Sequence, residues 1–107
     1  MSSFVGIDLG TCFSAIAYID KTGRPQIIPN KDGENITPSV VSLRKDGDRD
    51  DIEVGTLAYT TWGYDKKNTA ARFKRQMHED TLIEMGGNKY TPARLSAYVL
   101  EELVKDA

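Results

Sequence analysis

The residues best suited to chemistry lie near the start of the chain, in the run DLGTCFS at positions 8–14. Asp8 supplies a carboxylate, and Thr11 and Ser14 supply hydroxyls. Gly10 allows a tight turn and the close approach of another group. Hydroxyls and backbone N–H groups in such a turn form a concave set of donors that suits phosphate, and the carboxylate then requires a bridging cation such as hydrated Mg²⁺. On composition by itself, an ordinary Asp-Gly hairpin turn is the more common interpretation.

Short apolar segments flank this run and predict the strands that would position it. Residues 4–8 and 14–20 are rich in β-forming side chains, and residues 25–28 form a third such segment. Short turns that contain glycine join the three, which predicts an antiparallel meander. A polar loop dense in turn-forming residues follows at 29–35.

The middle of the chain predicts a second hairpin and a short helix. Strands are expected at 39–43 and 52–54, joined by the charged residues 45–51 as a solvated hairpin tip. A short helix is expected at 56–62, starting near Gly55.

Two further segments follow. The secondary structure of residues 69–77 is left open by their pattern, although apolar side chains at Ala70, Phe73 and Met77 fit a helical stripe. Residues 82–90 predict a hairpin with a Gly-Gly turn.

The final segment is the clearest predicted helix. Thr91 is a good N-cap, and Pro92 suits the first helical position. An apolar stripe then repeats along the segment through Leu95, Val99 and Leu103, and Leu100 and Val104 widen it. The helix reaches Ala107 without a Gly or Pro stop signal, which predicts that the chain is part of a longer protein. We expect the exposed helix to offer a surface for self-association.

Five blocks in register make the sequence resemble the DnaK-type heat-shock protein 70 chaperones, a family of the actin-like ATPase superfamily. The first block is VGIDLGT at 5–11 with Ser14. The others follow in order: IIPN at 27–30 with Gly33 and TPSVV at 37–41, VG at 54–55 with Ala58, NT at 68–69 with FKR at 73–75, and YTP at 90–92 with Leu95, Ser96, Ala97 and Leu100. These blocks cover nearly the whole chain at the spacing of the family.

The resemblance implies an α/β fold that forms part of an actin-like, ribonuclease H-like ATPase domain. Residues 1–37 would begin the inner subdomain of lobe I and carry the first phosphate loop. Residues 38–107 would form most of the outer subdomain. The rest of the ATPase domain and the peptide-binding domain would lie beyond this sequence. We therefore expect the chain by itself to bind nucleotide weakly or not at all, because most of the contacts are absent.

The same resemblance assigns a role to each residue of the loop. Asp8 would help to hold hydrated Mg²⁺ and a nearby monovalent cation such as K⁺. Gly10, Thr11 and the backbone at Cys12 and Phe13 would bind the phosphates of ATP or ADP. Considered by itself, Cys12 fits either a small packed side chain or a redox-sensitive thiol.

Two residues outside the loop complete the implied site. Lys74 would be the catalytic lysine, which lies near the γ-phosphate and orients or activates the attacking water. Thr37 would sense the γ-phosphate. Without the resemblance, Lys74 fits a solvated helical face and Thr37 fits a plain strand entry before proline. The sequence departs from the family pattern at three places: Cys12-Phe13, Asn35-Ile36 and His78.

The implied function is that of an ATP-dependent chaperone. ATP hydrolysis by the whole protein would drive capture and release of unfolded peptide clients, together with a J-domain cochaperone and a nucleotide exchange factor. Two alternatives stay open. One is another superfamily member, such as a sugar kinase or a bacterial actin relative. The other is a small non-catalytic binding module, which would be a stable monomer or an obligate dimer that buries the Leu95, Val99 and Leu103 face.

Composition narrows these classes. The 107 residues carry 14 basic and 16 acidic side chains, a net charge of −2, which excludes a strongly basic nucleic-acid binder or a polybasic membrane patch. One cysteine and one histidine exclude an internal disulfide and the cysteine-rich zinc sites. No apolar run approaches the length of a membrane span, and the N-terminus lacks the basic region of a signal peptide. We expect one domain at most, no nucleic-acid or membrane partner, and a cytoplasmic protein.

Overall fold

The computed structural model describes residues 5–46, 49–77 and 81–106. Within these ranges nine strands form three sheets, and two α-helices and two 3₁₀ turns accompany them. The predicted mixed α/β fold is confirmed.

The first sheet carries the loop of interest. Strands β1 (Val5–Leu9), β2 (Phe13–Ile19) and β3 (Pro25–Ile27) pair antiparallel in that order, as the meander prediction required. A fourth strand, β4 (Thr37–Pro38), pairs with the start of β2. This pairing brings a segment from beyond the polar loop back under the β1–β2 turn.

The second sheet has the order β6-β5-β7, with β5 (Val40–Asp46), β6 (Arg49–Val54) and β7 (Thr69–Ala71). The predicted hairpin is confirmed, but its strands run into the charged segment, where Arg44 pairs with Asp51. Opposite charges across an antiparallel pair suit this extension. Residues 47 and 48 at the tip lie outside the described residues.

The helical interpretation of residues 69–77 is wrong. β7 pairs with β5, Arg72 adopts a left-handed conformation with φ 57°, and a 3₁₀ turn follows at Phe73–Gln76. Pairing with the buried β5 outweighs a helical spacing of three apolar residues, and the turn at Arg72 directs Phe73 into the core. His78, which departs from the family pattern, lies outside the described residues.

The remaining elements agree with the sequence. Helix α1 (Thr56–Trp62) begins after Gly55, and a 3₁₀ turn follows at Lys66–Asn68. The hairpin of β8 (Ile83–Met85) and β9 (Asn88–Tyr90) turns at Gly86 and Gly87. Helix α2 (Pro92–Asp106) is capped as predicted, because the Arg94 backbone N–H donates to Thr91 Oγ1 at 3.0 Å. None of the helices within the described residues has both the length and the apolar character needed to cross a membrane.

The core forms where α2 packs against both large sheets. Its stripe of Leu95, Val99 and Leu103 is at most 1% exposed and clusters with Ile16 and Val41. The expectation that Leu95, Val99 and Leu103 are exposed for dimerisation is therefore wrong. Val104, on the same helix, is 58% exposed, and self-association through the rest of the helix stays a prediction. The periodicity marks a helix face that must be buried, and this chain buries it internally.

An ion cluster holds the polar loop after β3 against the second sheet and α2. Lys31 Nζ lies 2.9 Å from Glu53 Oε1 and 3.4 Å from Glu102 Oε1. The hydrogen bond to Glu53, supported by both negative charges, raises the pKa of Lys31 above its ordinary value of 10.5. The cluster thus fixes the loop that leads into β4.

This cluster predicts a loss of stability in strong base. Because the pKa of Lys31 is higher in the folded state, its stabilising effect is complete below the unfolded pKa of 10.5 and is lost as the pH rises through the folded value. The Lys31→Met variant should lose less unfolding free energy between pH 9 and 11.5 than the parent chain, by less than about 1 kcal/mol, because Lys31 is half-exposed. Urea unfolding across that range measures it. In a Lys89→Met control, the unfolding free energy should fall with pH as it does in the parent chain. If it falls equally in Lys31→Met, the role of the cluster is contradicted.

The β8–β9 turn offers a matched pair of glycines. Both have positive φ, but a Cβ at Gly86 would lie 2.3 Å from Leu43 Cδ2 in the core, whereas a Cβ at Gly87 would meet nothing within 4 Å. We expect Gly86→Ala to lower the free energy of unfolding by about 3 kcal/mol and Gly87→Ala by about 1 kcal/mol. Chemical denaturation of both variants measures the difference. Equal losses of unfolding free energy in the two variants would show that the Leu43 side chain can move aside at no energetic cost.

Candidate functional site

The β1–β2 loop, residues 10–12, is a tight turn that tolerates only glycine at its first position. The ladder closes at Leu9 opposite Ser14, and the chain reverses within residues 10–13. A Cβ at Gly10 would lie 2.2 Å from the carbonyl oxygen of Phe13, closer than any real contact. Gly10 is therefore required by close approach of the backbone, as the sequence indicated.

A short segment under the loop fixes its backbone. We call Thr37, Pro38 and Ser39 the strap. The Ser39 backbone N–H donates to Cys12 O at 2.8 Å, and Ser39 Oγ donates to Gly10 O at 2.9 Å. Ser39 Oγ also lies 2.8 Å from Ser14 Oγ, and both serines are only 2% exposed. Sequence reasoning noticed the TPS block but assigned Ser39 no role, although a serine in that block was the available signal.

Lys74 reaches the same loop from a distant part of the chain. Its Nζ donates to the carbonyl oxygen of Leu9, 65 residues away in sequence. Phe73 anchors the 3₁₀ turn in the core, and the exposed Lys74 side chain extends from that anchor to the end of β1. The structure thus brings together the loop and the lysine that the sequence singled out separately.

Asp8 lies on the open face of the first sheet. It pairs with Ala15 and shares a shallow groove of about 360 Å³ with Gly6, Ala17 and Ile27. Its carboxylate is exposed, and the small neighbours leave room around it. A single carboxylate with space for water fits Mg²⁺, which keeps several of its waters in protein sites.

Thr37 is placed differently from the other candidates. Its side chain is buried, and its Oγ1 accepts a hydrogen bond from Asn30 Nδ2 at 3.1 Å. Asn30 also orders the polar loop, because its Oδ1 accepts from the backbone N–H groups of Asp32 and Glu34. The backbone of Thr37 lies beside Ser14, while its hydroxyl faces Asn30. A γ-phosphate sensing role for Thr37 stays a prediction.

The other side of the loop faces a small aromatic cavity. Thr11, Cys12 and Phe13 line a space of about 220 Å³ together with Trp62 and Arg72. The Arg72 guanidinium lies 5.4 Å from the centre of the Trp62 ring, a cation–π distance. With Arg72 on this side and Lys74 at the end of β1, two positive charges flank the loop. This arrangement favours an anion there.

The steric requirement at Gly10 can be tested against a neighbouring glycine. Gly10→Ala should lower the free energy of unfolding by about 3 kcal/mol, because the new methyl group collides with backbone that cannot move cheaply. Gly6→Ala is the control, since a Cβ there meets nothing within 4 Å and its φ is not positive. That change should be neutral or stabilise by about 0.5 kcal/mol. Urea titrations of both variants give the comparison, and equal effects would refute the tight-turn interpretation.

Comparison with known proteins agrees with this geometry. The family model for the Hsp70 protein matches residues 4–107. Similar curated proteins include the "Chaperone protein DnaK" of Thermotoga neapolitana, 41% identical over 103 residues. The proteins of the same name in Thermotoga petrophila and Thermotoga maritima are each 39% identical over 103 residues. Each match covers 96% of this chain, and the chain spans 17% of the length of each relative.

These matches run almost from end to end of the chain and do not favour a sugar kinase, a bacterial actin relative or a separate binding module. The mixed α/β architecture agrees with part of an actin-like ATPase fold. From the extent of the match, and from a loop and a lysine that the fold brings together, we conclude that the chain belongs to the Hsp70 family.

Proposed function

We propose that this chain supplies the first phosphate-binding loop and the catalytic lysine of an ATP-dependent chaperone. The observation that carries the proposal is the contact between Lys74 Nζ and the carbonyl oxygen of Leu9 at the base of the loop. A solvated helical face would not require that contact. The family membership supports the same interpretation.

The loop binds phosphate through its backbone and hydroxyls. Thr11, with the N–H groups of Cys12 and Phe13, donates to phosphate oxygens of ATP or ADP. Gly10 keeps this surface open, since any side chain there collides with Phe13. Asp8 would help to hold hydrated Mg²⁺ and a monovalent cation such as K⁺, and such cations would supply positive charge that offsets the charge of the phosphates.

Lys74 acts on the reacting end of the nucleotide. An ammonium has three N–H donors, so the bond to Leu9 leaves two others for a phosphate oxygen or the attacking water. Lys74 thereby orients water and stabilises charge that develops in phosphoryl transfer. Thr37 senses the γ-phosphate. Because its hydroxyl is bonded to Asn30, that hydrogen bond must either break when Thr37 turns to the phosphate or transmit the presence of the phosphate to the polar loop.

The activity belongs to the whole protein. Residues 1–37 begin the inner subdomain and residues 38–107 form most of the outer subdomain of lobe I, so this chain holds only part of the ATP site and binds nucleotide weakly by itself. ATP hydrolysis by the complete protein, in the cytoplasm, drives release and capture of unfolded peptides with a J-domain cochaperone and a nucleotide exchange factor. The name of the relatives, "Chaperone protein DnaK", supports this proposal.

Removing Lys74 tests the assignment in the complete polypeptide that carries this chain. Lys74→Ala should lower the single-turnover rate of ATP hydrolysis roughly 100-fold or more while ATP affinity changes by only a few-fold, because the group acts mainly in the transition state. Lys66→Ala is the control, since Lys66 is exposed on the other 3₁₀ turn. Equal hydrolysis rates for the two variants would disprove the catalytic role.

A further inference from the structure

The hydroxyls of Ser14 and Ser39 take part in two successive hydrogen bonds that have a defined direction. Ser39 Oγ donates its single hydrogen to Gly10 O. In the 2.8 Å contact between the serines, the donor must therefore be Ser14 Oγ. The hydrogen bonds therefore run from Ser14 to Ser39 and from Ser39 to the Gly10 carbonyl. Both serine side chains are buried, and bonds linked in this way strengthen one another.

Ser39 holds two carbonyls of the loop at once. Its Oγ binds Gly10 O, and its backbone N–H binds Cys12 O. None of the described peptide bonds is cis, and in a trans peptide the C=O and the next N–H point in opposite directions. Drawing both carbonyls toward Ser39 therefore turns the N–H groups of Thr11 and Phe13 away from it.

We infer that Ser39 is a positioning residue that aims the Phe13 N–H group at the phosphates and adds the Thr11 N–H group to the donors of the proposed loop. The inference rests on the proposed function of the loop and adds the side chain on which its donor geometry depends. Phosphate is bound best by donors that are already oriented, because no reorganisation is needed when the ligand arrives. When the Ser39 hydroxyl is removed, the Gly10–Thr11 peptide can rotate, and the Thr11 N–H group is no longer held in one direction.

The test compares ADP with adenosine in the complete polypeptide that carries this chain, by titration calorimetry. Adenosine lacks the phosphates, so the ratio of the two dissociation constants reports the phosphate contacts alone. Ser39→Ala should weaken ADP binding about 10-fold and leave adenosine binding within about 2-fold, the size expected for one buried hydrogen bond. Ser42→Ala is the matched control, because Ser42 is also buried but lies in β5, and it should leave the ratio unchanged.

Each outcome decides the question. An equal loss for ADP and adenosine in Ser39→Ala, or an unchanged ratio, overturns the positioning role while the proposed function stands. A parent protein that binds ADP no better than adenosine overturns the proposed function, and this inference with it, before any variant is made. Should Ser39→Ala fail to fold, Ser14→Ala removes only the hydrogen bond from Ser14 to Ser39 and should weaken ADP binding about 3-fold. No change in that variant overturns the inference.

Discussion

The candidate site depends on the pairing of the strap with the start of β2. Through it, one residue, Ser39, binds two carbonyls of the β1–β2 loop and one hydroxyl of β2. The two serine side chains are buried, so breaking the bond between them leaves a hydroxyl without a partner in a medium where that is costly. The tight loop, with no room for a side chain at Gly10, is held in one conformation by this pairing.

The strap also joins the two large sheets. It ends where β5 begins, and β5 is the central strand of the second sheet. Helix α2 covers the junction with Leu95, Val99 and Leu103, each of which stabilises the fold by roughly 1.5–3 kcal/mol through burial. The 3₁₀ turn that carries Lys74 rests on the same core through Phe73. Loop and lysine therefore have a common support, as the proposed phosphate chemistry would require.

The elements that local pattern predicts are those whose period is unambiguous. The first meander, the capped helix α2 and the Gly-Gly hairpin were all predicted correctly, since alternation, capping residues and turn residues act over a few positions. The stretch 69–77 was not, because its strand exists only through pairing with β5. The exposure of the Leu95, Val99 and Leu103 face of α2 was also predicted wrongly, since periodicity shows that a face is apolar and leaves open what covers it.

The sequence by itself indicated the family and the loop that could bind phosphate, and it singled out Asp8, Gly10 and Lys74 as candidates. Those properties reside in residue types and short spacings that the chain carries in any conformation. Only the tertiary structure decided that Lys74 meets Leu9 across 65 residues, that the Thr37 hydroxyl faces Asn30, and that Ser39 supports the loop. Contacts between residues far apart in sequence depend on the packing of the sheets and α2, and no local pattern encodes them.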